Sequence, residues 1–138
     1  MKTIKKYVLL LLVLISTSCS KDKQTLIDNT WVVESMNTPT DSIWQYDSQE
    51  QKQICNLTFE SRYKYSISSQ NTVCGGKVKI AAKQKIQFKG GDPCPYTGGN
   101  LLSWSVLRLL KEITHYELLD DKLILKGDNG EIINLVKQ

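Results

Sequence analysis

Apolar and polar residues alternate along most of the chain, which is the pattern of β-strands with one buried face. In residues 30–36 the alternation places Trp31, Val33 and Ser35 on one side of the first strand. Comparable strands are predicted at residues 55–59, 63–67, 77–80, 85–88, 114–119, 122–126 and 131–136. The Asn-Gly pair in the final turn is typical of a β-hairpin, so we expect these strands to pair antiparallel.

Two segments lack this alternation and predict loops. Residues 38–53 are polar and poorly periodic, apart from a short strand at 43–46. Trp44 and Tyr46 lie in this segment, which makes them candidates for an exposed contact surface. Residues 89–100 contain four glycines and two prolines and are expected to be irregular.

One segment has the period of a helix instead. Asn100 is a good N-cap residue, and residues 101–112 predict a helix that is apolar over more than half of its circumference. Its apolar positions, Trp104 among them, are expected to lie in the core; they include Leu102, Val106, Leu109 and Leu110. The fold class expected is α+β and mainly antiparallel β, a curled sheet or partial barrel packed around one helix in the C-terminal half.

The N-terminus has the features of an export signal. Basic residues precede a run of nine apolar residues at 7–15, which is too short to span a membrane. Small residues then lead to Cys19, as in a lipobox, although Ser16 stands where an aliphatic residue is usual. Ordinary secretion with a free Cys19 is therefore the alternative. The segments predicted are a signal peptide at 1–18, a lipidated tether at 19–25 and a single domain at 26–138.

Removal of the signal peptide changes the charge balance. The chain has 18 basic and 14 acidic residues, and the three lysines of the signal leave a mature net charge of +1. This value gives no basis for nucleic-acid binding. Residues 61–91, however, contain only basic charges, and Lys77 and Lys79 alternate with apolar residues. Lys77 and Lys79 are candidates for a contact surface for anionic lipid or an acidic partner, or for solvated lysines that discourage edge pairing.

A resemblance to a known family rests on the order of these features. A tryptophan strand, the Leu57-Thr58-Phe59 strand, Cys74, Cys94, a helix and two closing strands follow one another along residues 26–136. This order resembles the META domain family of small exported bacterial domains, and it is best kept at Tyr116, Leu118, Leu123 and Leu125. The resemblance implies a curled sheet holding one helix, no catalytic residues and an association with envelope stress. Lipocalin-like exported domains are the runner-up.

The cysteines outside the lipobox predict one disulfide. Cys55, Cys74 and Cys94 are an odd number of cysteines in an oxidising compartment. We predict a Cys74–Cys94 disulfide that ties two glycine- and proline-rich loops, with Cys55 as a buried thiol. The resemblance points to the same pair, and pairing of Cys55 with Cys74 is the alternative. The spacing fits neither a zinc site nor a Cys-x-x-Cys redox motif.

No motif in the sequence assigns a reaction or a cofactor. The single histidine, His115, is interpreted as structural, and no nucleophile, phosphate or dinucleotide motif is present. We therefore expect a non-enzymatic interaction module, lipid-anchored in the cell envelope at the outer membrane. Its expected partners are the membrane and an unknown envelope protein or small ligand. The alternative is a lipocalin-like carrier of a small apolar ligand.

Overall fold

The strands that alternation predicts are present in the structure, a computed structural model that describes residues 21–38, 46–47, 54–69, 72–91 and 101–138. The strands are β1 (Thr30–Asn37), β2 (Tyr46–Asp47), β3 (Asn56–Phe59), β4 (Lys64–Ser69), β5 (Thr72–Ile80), β6 (Ile86–Gly91), β7 (Ile113–Leu119), β8 (Lys122–Gly127) and β9 (Ile132–Lys137). The helices are α1 (residues 21–27) and α2 (Leu101–Leu110).

The nine strands within the described residues belong to one sheet, and every described pair is antiparallel. The order is β6-β5-β4-β3-β1-β9-β8-β7, and the short β2 pairs with β1 outside this path. The two ends of the sheet approach each other, because Lys85 and His115 form a β-bridge and the Tyr116 amide donates to the Gln84 carbonyl at 2.9 Å. The sheet is therefore a nearly closed barrel, which confirms the predicted curled antiparallel architecture.

A bulge in β1 changes which side chains face inward. The register of β1 against β9 shifts between Val33 and Ser35. A bulge adds one residue to a strand, so the side chains beyond it exchange faces. Ser35 was predicted on the face of Trp31, but Met36 is the next buried residue and Ser35 hydrogen-bonds Asn134 instead. The prediction for Ser35 is wrong for this reason.

The inner face of the sheet and the apolar face of α2 belong to one hydrophobic cluster. Val106 and Leu110 of α2 are fully buried, and Leu109 is nearly so. The sheet contributes every second residue of its strands to the same cluster, including Trp31, Val33, Leu57, Phe59, Tyr65, Ile67, Phe88, Ile113, Tyr116, Leu123, Leu125, Ile133 and Leu135. Burial of these large apolar side chains provides the main driving force for this fold.

The sequence pattern did not predict α1. Part of its segment was expected to be a polar tether, yet residues 21–27 are helical and Leu26 is fully buried. The Thr25 hydroxyl donates to the Lys21 carbonyl, and the Gln24 side chain donates to Asp28 one turn later. A helix with one or two buried residues has too little periodicity to be recognised from sequence.

Two aromatic residues predicted in the core are exposed. Trp104 is 44% exposed, because it projects from the opposite side of α2 to Ser103, Val106 and Leu110. Alternation also predicts Tyr63 on the inner side with Tyr65, but Tyr63 lies in the turn before β4 and is 74% exposed. The polarity pattern marks apolar residues without showing where a strand ends.

Strand β5 is longer than its polarity pattern predicts. The glycines beside Cys74 were assigned to a loop, but Gly75 and Gly76 pair with Ser66 and Tyr65 of β4. A Cβ atom at Gly75 would lie 2.5 Å from the Tyr65 carbonyl oxygen. Glycine therefore occurs here because the two backbones approach closely, not because the chain turns.

Candidate interaction surface

Lys77 and Lys79 project outward from the second half of β5. Both side chains are exposed, whereas Val78 and Ile80 between and beyond them are buried. This arrangement confirms the alternation that selected the two lysines as candidate contact residues. Trp44 and the side chain of Tyr46, the other two candidates, lie outside the described residues.

Pairing across three strands aligns lysines that are distant in sequence. Lys64 of β4 lies opposite Lys77 of β5, and Lys77 lies opposite Lys89 of β6. All three side chains are exposed, and we call them the lysine row. Like charges directly opposite each other destabilise a sheet, so stability of the fold does not explain this alignment.

One acidic residue borders the lysine row. Lys64 forms a 2.7 Å ion pair with Glu60 across the β3–β4 turn. Hydrogen bonds from the Lys64 ammonium, and then from the Ser66 hydroxyl, hold the pKa of Glu60 below its usual value. The other described ion pair of a lysine is Lys126–Glu117, and Nδ1 of His115 lies 3.8 Å from Asp128. None of the described pairs involves Lys77 or Lys89.

One end of the barrel, which we call the basal end, contains the start of β1 and three turns. These are the turns at residues 60–63, 81–85 and 120–121. Antiparallel pairing requires this, because alternate turns fall at the same end of the sheet. Backbone hydrogen bonds join neighbouring parts of this end: Val78 to Tyr63 at 2.9 Å, Lys137 to Asp121 at 2.8 Å and Gln138 to Thr30 at 3.0 Å. The turns at 111–112 and 128–130 lie at the opposite end.

Four exposed basic residues line one side of the basal end. Arg62 lies in the β3–β4 turn, Lys79 near the end of β5, and Lys83 and Lys85 in the β5–β6 turn. We call these four residues the basic rim. The exposed Tyr63 lies beside Arg62 in this region. The acid-free composition of residues 61–91 indicated this charge, but only the pairing of the turns brings its members to one end.

The β5–β6 turn has an unusual backbone for its sequence. Lys83 and Gln84 have φ angles of 57° and 58°, and the Lys85 amide donates to the Ala82 carbonyl at 3.4 Å. Two central residues with positive φ are typical of a type I′ turn, for which Asn-Gly is preferred. A lysine and a glutamine therefore occupy positions where they cost conformational energy.

The cysteines differ sharply in environment. Cys55 is a free, fully buried thiol, and burial raises its pKa to about 12. Cys74 is disulfide-bonded, which excludes its pairing with the free Cys55. Cys19 and Cys94 both lie outside the described residues, so lipidation of Cys19 and the Cys74–Cys94 pairing stay predictions.

Ser103 of α2 brings a hydroxyl into the core beside Cys55. It is close enough to the thiol to lower the thiol's pKa in part, but it lies outside hydrogen-bonding geometry. Its Oγ is consequently a buried polar atom without a hydrogen-bond partner. The contact places this side of α2 against the segment that leads into β3.

His115 is part of a short polar chain on the outer surface. The Thr114 hydroxyl donates to Asp128 at 2.8 Å and lies 2.8 Å from Nδ1 of His115, which is itself 3.8 Å from Asp128. In a catalytic triad the imidazole lies between the nucleophile and the acid. Here Thr114 contacts the acid directly, an arrangement suited to holding β7 against the β8–β9 turn.

The described residues lack two further features. They contain no group of three or more histidine, cysteine, aspartate or glutamate side chains arranged to hold a metal ion. Neither described helix has the length and apolar composition needed to span a membrane.

The sequence matches no protein-family model and no curated protein. The fold, however, is similar to solved structures. The crystal structure of a DUF4847 family protein from Bacteroides vulgatus ATCC 8482 is 15% identical, with a TM-score of 0.62 over 83% of this chain and 95% of that one. The NMR structure of a protein from Burkholderia xenovorans is 20% identical, with a TM-score of 0.61 over 84% of this chain and 86% of that one. At these identities the likeness shows a shared fold.

Proposed function

We propose that this protein is a non-enzymatic interaction module, held at the outer membrane by a lipid on Cys19, that binds its partner through the outer surface of the barrel. The observation that carries the proposal is the single core shared by α2 and the inner face of the sheet. If α2 occupies the interior of the barrel, a partner has to bind outside. The lysine row and the basic rim are charged features of the outer surface of the barrel.

The same observation argues against the carrier function. A lipocalin-like carrier keeps its interior open for an apolar ligand. In this barrel the inner face carries large buried side chains, among them Trp31, Phe59 and Phe88. Three aromatic rings also pack on one another. Phe88 packs edge-on against Tyr65 with centroids 5.1 Å apart, and the centroid of Phe59 lies 6.2 Å from that of Phe88. These contacts support an interior that is filled by the protein itself.

A photo-crosslinking residue placed at position 77 tests the proposed surface in intact cell envelopes. Lys77 is an exposed member of the lysine row, and Lys111 is an exposed residue at the opposite end. We expect a recurrent crosslinked product from position 77 and none from position 111. Equal, diffuse products from both positions would contradict a defined surface.

The carrier alternative has its own test, because an open apolar interior binds solvatochromic dyes. Titration with N-phenyl-naphthylamine should give no saturable fluorescence increase. Saturable one-to-one binding that a fatty acid displaces would favour the carrier.

The anchor is tested independently of any partner. Mass spectrometry of the mature protein should show Cys19 as an acylated N-terminal residue, since stable attachment needs more than one acyl chain. An unmodified Cys19 would contradict the envelope anchor. The META domain resemblance and a role in envelope stress remain predictions from the sequence.

A further inference from the structure

We propose that the basal end of the barrel docks directly on an anionic lipid surface, with the basic rim and Tyr63 as its contact residues. The inference rests on the proposed lipid anchor at Cys19, and it adds a second, protein-borne membrane contact to it. Three observations support it: the position of α1, the distribution of charge at the basal end, and the backbone of the β5–β6 turn.

The position of α1 brings the anchor to the basal end. Leu26 is fully buried, and the chain enters β1 at Thr30, so the end of α1 is fixed to the barrel there. A helix rises 1.5 Å per residue, so residue 21 lies within about 10 Å of the helix end. Two more residues of chain reach at most about 7 Å. Cys19 is therefore attached within about 17 Å of the end of α1, which brings the proposed acyl chain to this part of the barrel.

The charge of this end suits an anionic surface. The basic rim places Arg62, Lys79, Lys83 and Lys85 on neighbouring turns, with the lysine row directly behind them along the strands. The acidic residues of the basal end lie outside residues 61–91: Asp28 follows α1, Asp120 and Asp121 are in the β7–β8 turn, and Glu60 is paired with Lys64. Clusters of basic residues within a Debye length of an anionic membrane are attracted to it.

Tyr63 supplies the amphipathic contact expected at a lipid interface. Its side chain is 74% exposed at the tip of the β3–β4 turn, between Arg62 and Lys64. Tyr63 is the most exposed of the large apolar side chains in the described residues, and tyrosine is enriched where a protein meets lipid headgroups.

The β5–β6 turn indicates that Lys83 is present for a reason other than stability. Lys83 and Gln84 both have positive φ angles, at which Asn and Gly would be favoured. The strained turn holds an exposed ammonium group in the basic rim. The Lys83 ammonium group would contact an anionic membrane, whereas within the folded domain the residue does not favour the turn that it occupies.

Vesicle sedimentation tests the docking without the lipid anchor. All core residues lie between Leu26 and Leu135, so a chain that begins at Ser20 contains the whole described core. We expect it to bind mixed phosphatidylglycerol–phosphatidylcholine vesicles, to bind pure phosphatidylcholine vesicles far more weakly, and to lose affinity as salt is raised.

Two double variants with equal charge change locate the contact. Replacing Lys79→Gln and Lys85→Gln should weaken partitioning about 25-fold, since each basic residue near the surface contributes roughly a fivefold factor. The control, Arg108→Gln with Lys111→Gln, changes exposed residues near the opposite end and should weaken it less than about twofold if the contact is local. Equal losses from both variants would overturn the proposal, because net charge alone would then explain the binding.

A third variant separates binding from folding. Lys83→Asn with Gln84→Gly should raise the thermal midpoint, because the new residues suit the turn, and should also weaken vesicle binding. Unchanged vesicle binding by this variant would contradict a role for Lys83.

The proposal and its premise fail in different experiments. If the unacylated chain shows no preference for anionic vesicles, the docking inference is wrong even when Cys19 is acylated. Binding to immobilised polyglutamate but not to vesicles would assign the basic rim to an acidic protein instead. An unmodified Cys19 would remove the anchor while leaving the vesicle result to stand by itself.

Discussion

The indole Nε1 of Trp31 donates a hydrogen bond to the main-chain carbonyl of Leu26, at a distance of 3.2 Å. Both residues are fully buried, so the bond joins the end of α1 to the first strand inside the core. Carbonyl groups at the end of a helix have no partner within the helix. Trp31 supplies one, which explains how a helix of so few described residues is held against the barrel.

Removal of this hydrogen bond should destabilise the domain. Trp31→Phe leaves the Leu26 carbonyl buried without its donor and opens a small cavity, so we expect the free energy of unfolding to fall by about 2–4 kcal/mol. Urea denaturation measures the change. Trp104→Phe is the matched control, and because Trp104 is half-exposed it should cost less than about 1 kcal/mol. Equal losses would mean that Trp31 has no special role.

The apolar face of α2 should contribute strongly to stability. Leu110→Ala removes a fully buried side chain and is expected to lower the free energy of unfolding by about 2–5 kcal/mol. Leu119→Ala at a half-exposed position of β7 should lower it by less than about 1 kcal/mol. A small loss at Leu110 in the same denaturation experiment would show that α2 is loosely attached.

Glycines in paired strands should differ according to the space around them. At Gly75 an added Cβ would meet the Tyr65 carbonyl oxygen at 2.5 Å, whereas at Gly90 nothing lies within 4 Å. We expect Gly75→Ala to destabilise the protein by about 1–3 kcal/mol, because backbone has to shift. Gly90→Ala should change stability by less than about 0.5 kcal/mol. Thermal unfolding of both variants checks this, and a larger effect at Gly90 would contradict the close approach of β4 and β5.

The buried thiol of Cys55 should make stability fall at high pH. Burial raises the pKa of Cys55 from 9.0 to about 12, so the unfolded chain releases this proton first. The stabilisation that comes from burying the neutral thiol is fully present below pH 9 and is lost as the pH rises toward 12.

At about pH 10.5 the loss should be about 2 kcal/mol, at 1.36 kcal/mol per unit of pKa difference. Unfolding free energies of the wild type and of Cys55→Ala, compared at about pH 8 and pH 10.5, isolate this group from the other residues that titrate. The difference between the two proteins should change by that amount. A difference that is independent of pH would show that the thiol is accessible to water.

Local patterns in the sequence predicted the strands and the main helix well. Alternation identified every strand from β3 to β9, because a strand with one solvent-exposed face alternates polar and apolar residues along the sequence. The same signal selected Lys77 and Lys79, which are exposed as predicted. The helical period of α2 also appeared locally, apart from the side on which Trp104 projects.

Where predictions failed, a residue's environment depended on distant parts of the chain. Ser35 faces outward because of a bulge against β9, and Gly75 lies in a strand because Tyr65 approaches it from β4. The isolated α1 was missed because its stability comes from burial of Leu26 and the bond to Trp31 rather than from its own sequence.

The sequence by itself determined most of the strands, the helix α2 and the basic composition of residues 61–91, because propensity, charge and polarity are properties of short segments. The export signal before Cys19 is a prediction from the same kind of local pattern. Only the tertiary structure decided that Lys64, Lys77 and Lys89 form one row and that Arg62 and the β5–β6 turn share the basal end with α1. Strand register and barrel closure set these neighbours. Both depend on which pairing of distant segments buries the whole core. That choice cannot be read from any single stretch of the sequence.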